Sequence, residues 1–187
     1  MNAAQKEVER LAAEIAEAAR RSFRALFANG EHYYYCTLYT TGEGHAPSLS
    51  AWSREALEQE AARQAEGGST PAAEIAELIK WSYADSPYCC FGDEYFDEVK
   101  RLFQARPSIT ELEDEAWNDE FIMRLGAMEL AMRMMDAEGL FALNQPREDV
   151  CVLAEVMPPD EGNTDIALRL NRAEAPAMRA WLEEAAE

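Results

Sequence analysis

Apolar residues recur along this chain with two different periods, and the changes of period divide it into elements. Between residues 3 and 28, Val8, Leu11, Ile15, Ala19, Ser22 and Leu26 fall at helical spacing, and Phe23 and Phe27 widen the stripe. Alanine is abundant there and favours helix, and Asn29-Gly30 supplies a C-terminal stop. Glu7, Glu9, Glu14 and Glu17 would meet an anionic lipid surface badly, so the stripe is expected to pack on the protein's own sheet. Residues 32–41, HYYYCTLYTT, are almost all aromatic or β-branched and predict a strand. Simple alternation puts Tyr33, Tyr35, Thr37 and Tyr39 on one face and Tyr34, Cys36, Leu38 and Thr40 on the other. Gly42 to Gly44 make a turn and residues 47–52 return, which predicts an antiparallel hairpin.

Ser53 is placed to cap a helix over 54–66, which Gly67-Gly68-Ser69-Thr70-Pro71 breaks. Residues 72–80 carry a short helical pattern leading into Trp81. Residues 82–93, SYADSPYCCFGD, read as a loop dense in aromatics. Residues 94–104 predict a short helix with Phe96, Val99, Leu102 and Phe103 inward. Thr110-Glu111-Leu112-Glu113 has capping-box form and predicts the start of a long helix over 111–137. Its Phe121, Leu125, Met128, Met132 and Met135 form a stripe expected in the core, and Gly139 ends it. The near-continuous apolar run of residues 149–157, DVCVLAEVM, predicts a central strand buried on both faces. Helices are predicted over 164–171 and 174–185, the latter with Pro176 in its first turn. The expectation is an α+β fold, with a small mainly antiparallel or mixed sheet packed against several helices, as one domain over 1–187.

Charge narrows the function classes. Asp and Glu number 36 against 17 Lys and Arg, a net charge of −19. Nucleic acid is bound largely through basic side chains, so neither DNA, RNA nor an anionic membrane is an expected partner. A basic protein is, because complementary fields raise encounter rates. Acidity also serves solubility with no partner at all. The four cysteines form no C-x-x-C pair, and residues 1–29 carry charge throughout with no apolar h-region. A cytoplasmic protein with reduced thiols is expected.

Several chemistries lack their signatures. There is no phosphate loop, no dinucleotide fingerprint and no G-x-S-x-G elbow. His32 and Cys36 are four apart, which on a strand is about 13 Å, too far to share a metal directly. No metal, no cofactor and no catalytic residue is therefore assigned. Adjacent Cys89 and Cys90 form a possible redox pair, but vicinal disulfides are strained. Acids cluster at Asp85, Asp93, Glu94, Asp97 and Glu98, and again from Glu111 to Glu120. Much of this acidity falls at helix starts, where it complements the helix dipole.

At Lys80-Trp81-Ser82-Tyr83-Ala84-Asp85 the chain resembles the bacterial family known as domain of unknown function 4303. Tyr33 to Thr41 match that family's aromatic strand, Trp81, Ser82 and Asp85 its middle segment, and Arg169-Leu170-Asn171 with Glu174 its end. Tyr83 and Ser86 stand where the family tends to have Pro and a second Trp. The resemblance carries over no catalytic residues. Its flavour is similar to that of acidic immunity or accessory proteins, which act by binding.

The reading that results is a cytoplasmic, non-enzymatic acidic protein, immunity-like or regulatory, that binds a protein partner. Trp81, Tyr83, Asp85 and Tyr88, with Asp93 and Glu94, are its candidate partner-binding surface: aromatics anchor and carboxylates orient. The competing enzyme reading is a small hydrolase or transferase using Asp85 with His32 or a cysteine, which needs those groups to converge. A third reading is a structural subunit with an oligomer seam.

Overall fold

The computed structural model describes residues 3–186. Its elements run α1 (Ala3–Phe27), β1 (Tyr33–Thr41), β2 (Ser48–Ser53), α2 (Arg54–Ala65), α3 (Ala72–Ile79), α4 (Asp97–Gln104), α5 (Asp114–Ala137), β3 (Cys151–Met157), α6 (Glu161–Leu170) and α7 (Pro176–Glu184). The fold is α+β. Its sheet is mixed, with order β2-β1-β3: β1 pairs antiparallel with β2 and parallel with β3.

Two apolar clusters sit on opposite faces of this sheet. On the first face α1 and α5 pack on Cys36, Leu38, Val152 and Ala154, and the methionine stripe of α5 is core, with Met128, Met132 and Met135 fully buried. On the second face Tyr35, Trp52, Cys151 and Leu153 meet α7 and the segment after α3.

The alternation predicted for β1 fails at its start. Tyr33 pairs with Ser53 and Tyr35 with Trp52, so Tyr34 is an inserted bulge residue. The extra residue shifts parity: Tyr33 joins Cys36 and Leu38 in the first cluster, while Tyr34 and Tyr35 both join the second.

Two other expectations are corrected. The long helix begins at Asp114 with Glu113 as cap, so the capping-box match at Thr110 does not start it. Instead the Glu111 carboxylate accepts from the Ser108 backbone N–H and hydroxyl, both at 2.8 Å, and the motif closes a turn before the helix. Strand β3 is buried on both faces as predicted, yet it lies at the sheet's edge. Its outer side is covered by α6. Asn171 accepts from Val152 N–H at 3.0 Å and donates to Val152 O at 2.7 Å; Asn163 does the same for Val156 at 2.8 and 3.0 Å. Eight residues of helix rise about 12 Å and four residues of strand about 13 Å, so two asparagines eight apart meet two valines four apart.

Candidate functional site

After α3 the chain runs as a strap from Trp81 to Gly92, starting over the second face of the sheet and passing along β2 to the first. Backbone oxygens fix it. Trp52 Nε1 donates to Ser82 O at 2.7 Å and Ser50 Oγ to Tyr83 O at 2.8 Å. Cys90 N–H donates to Leu49 O at 2.8 Å, and Ser86 Oγ donates to Ala51 O. The strap ends against α1 at Gly92, whose φ of +70° and lack of a side chain are both used: a Cβ there would lie 2.2 Å from Ser22 Oγ.

The six sequence candidates differ in burial and in their partners. Trp81 and Tyr83 are half-buried on the second face. The Trp81 ring meets Tyr34 and Tyr35 edge-on at 5.4 and 6.2 Å, and its Nε1 donates to Glu184 of α7 at 2.8 Å. Tyr83 lies against Tyr39 at 4.2 Å. Asp85 and Glu94 are exposed and make no ion pair within the described residues. Tyr88 turns toward the end of α1, donating to Glu31 at 2.7 Å and accepting from Asn29 at 3.2 Å. Burial first, then the bond to Glu31, push its hydroxyl up to about 12. Asp93 is neutralised by Lys100 at 2.6 Å.

The groups of the enzyme reading do not converge. His32 Nδ1 lies 2.6 Å from Glu55 at the start of α2. Cys89 and Cys90 lie 3.3 and 3.2 Å from the Tyr39 hydroxyl, near the other end of β1 and about 20 Å along the strand. Asp85 is bonded through its backbone N–H to Ser82 Oγ, and its exposed carboxylate joins neither group. All four cysteines are free thiols. Among the described residues no three His, Cys, Asp or Glu side chains gather as metal ligands.

Sequence reasoning missed the most distinctive group, Glu155 of β3. Period two places it beyond Cys151 and Leu153 on the second face, beside Tyr39 in register. It is 5% exposed and the one acidic residue buried among the described residues. Tyr35 donates to Glu155 Oε2 at 2.7 Å. Burial pushes its carboxyl above the ordinary range, and the Thr37 and Tyr35 hydroxyls offset this only in part. Over it opens a cavity of about 190 Å³, lined by Trp81, Tyr83, Trp181, Asn163 and Met157 among others. Trp81 also borders a second cavity, of about 360 Å³, with Tyr34, Arg54 and Lys80.

The raised carboxyl has a thermodynamic consequence. The native state keeps a proton that the unfolded state releases, so stability is fully present below the unfolded value and is lost as pH rises through the folded one. Glu155→Gln is expected to remove that loss, at up to about 1.4 kcal/mol per pH unit within the window. Urea unfolding of both proteins from acidic to mildly alkaline pH measures the difference in slope. Parallel curves would show that Glu155 does not carry it.

No curated protein and no solved structure matches the chain. A family model does, over residues 15–172. The match includes the strap and Glu155 and stops before α7, so Trp181, one wall of the cavity, lies outside it. No helix among the described residues is long and apolar enough to cross a membrane. With most of its length covered, the chain belongs to the family described as domain of unknown function, DUF4303.

Proposed function

We propose that this protein is a cytoplasmic, non-enzymatic binding protein that docks a basic protein partner through its acidic surface, in the manner of immunity or regulatory proteins. The distribution of its charges carries the reading. Most basic side chains are held in ion pairs within the chain, among them Arg20 with Glu138, Arg106 with Glu120 and Glu7, and Arg147 with Asp136. Exposed carboxylates of Glu58, Glu74, Asp85, Glu94, Glu115 and Asp119 make no ion pair within the described residues. The surface field is thus strongly negative, and a cationic partner gains from it without breaking internal pairs. Of the six candidates, Asp85 on the strap and Glu94 just after it keep exposed carboxylates with no ion pair among the described residues, Trp81 and Tyr83 keep part of their rings exposed, and Tyr88 and Asp93 are engaged by Glu31 and Lys100. Free thiols agree with a reducing compartment.

The test is kinetic. A partner captured from the native host is expected to associate about tenfold or more slowly as salt rises from roughly 0.02 to 0.5 M, while dissociation changes less. Asp85→Lys with Glu94→Lys should reduce both the on-rate and its salt slope. An on-rate indifferent to salt would overturn electrostatic docking.

A further inference from the structure

The buried carboxyl of Glu155 lacks what the chain gives its other well-covered acids. Glu120, for one, is held by both Arg106 and Arg124, at 2.6 and 2.7 Å. Among the described residues Glu155 has hydroxyl partners and no cation, and no Lys, Arg or His lines the cavity above it. Two indoles and a phenol, from Trp81, Trp181 and Tyr83, stand around the same space. Aromatic faces attract cations, and they do so most strongly where water is excluded. At about 30 Å³ for each water-sized group, about 190 Å³ admits roughly six heavy atoms. That is the size of an amine head group and too small for a nucleotide.

We propose that the cavity walled by Trp81, Tyr83 and Trp181 over Glu155 is a binding site for a small organic ammonium ion. The carboxylate supplies the counter-charge and the rings supply a low-dielectric wall. Entry of the cation favours ionisation of Glu155, so binding releases a proton and tightens as pH rises. The ammonium comes either from a free small molecule or from a lysine side chain. The proposal does not depend on the docking of a basic protein, and small probes test it alone.

The four tryptophans report on it directly by indole N–H resonances in nitrogen-15 spectra of the whole chain. Choline is expected to shift Trp81 and Trp181 saturably, with a dissociation constant of about 1 mM or tighter, and to leave Trp117 in place. N-acetyl-lysine amide is the second probe: tighter binding than choline points to a lysine side chain as the source, weaker binding to a free ammonium compound. The uncharged carbon isostere of choline, 3,3-dimethylbutan-1-ol, should bind at least tenfold more weakly to the same unmodified protein. Glu155→Gln should weaken choline tenfold or more and abolish the pH dependence of its affinity. Absence of any shift with both ammonium probes overturns the proposal. So does equal binding of the uncharged isostere, a measurement that needs no variant to fold.

Discussion

Arg124→Met is expected to destabilise the protein by about 2–5 kcal/mol, a large part of the whole stability of a domain this size. The Arg124 side chain is 5% exposed, and its guanidinium is shared by three segments. Nη1 donates to Gly44 O in the β1–β2 turn, Nη2 to Pro107 O before α5, and Nε to Glu120, each at 2.7 Å. The rings of Phe103 and Trp117 lie 5.4 Å from it. Methionine fills much of the volume but leaves both carbonyls without that donor. Glu120 keeps Arg106 as its partner, so most of the loss should come from the carbonyls and not from an orphaned carboxylate. Urea unfolding should show it, and thermal unfolding should show a fall in Tm of roughly 10 °C. Arg133→Met, which removes an exposed pair with Glu129 on the same helix, should cost about 1 kcal/mol or less. Equal effects at the two positions would mean that the buried fork of Arg124 contributes nothing special.

Asn171→Leu is the second large effect, expected at about 2–5 kcal/mol, since each orphaned backbone group costs about 1–3 kcal/mol. Leucine keeps the volume and strips Val152 of both hydrogen-bond partners on its outer side, at a position with no exposure to water. Asn171→Asp separates the two bonds. The carboxylate can still accept from Val152 N–H but faces the carbonyls of Val152 and Ala167, to which the amide donated at 2.7 and 2.9 Å. Arg147 Nη2 donates to the same accepting oxygen at 3.1 Å and favours the carboxylate, so this variant should fall between the unmodified protein and Asn171→Leu in stability. Equal loss in the two variants would mean that the bond accepted from Val152 N–H contributes nothing.

Much of the fold was legible because single periods governed it. The stripe of α1, the cap at Ser53 and the methionines of α5 obey local rules, and Ser53 Oγ does accept from Ala56 N–H at 2.9 Å. The misreadings share a cause: a partner distant in sequence decided the outcome. Burial on both faces normally marks a central strand, whereas in β3 α6 covers the edge with side-chain amides that no periodicity announces. The bulge at Tyr34 depends on register with β2, so alternation within β1 alone could not place it. The candidate site was half legible. Trp81 and Tyr83 stood out as aromatics on a loop, but Tyr88 and Asp93 found partners just past the end of α1 and on α4. Glu155 could have been found. A strand predicted to be buried on both faces, carrying one carboxylate among CVLAEVM, entails a buried acid.

Both edges of the three-stranded sheet carry outward backbone groups that already have partners. On the β3 side these are the amides of Asn163 and Asn171; on the β2 side the strap serves Leu49 O and Ala51 O. A guest strand would have to displace these bonds on either side. Recognition by β-augmentation is thereby made costly for this chain, and so is edge-to-edge aggregation. That favours recognition through side chains.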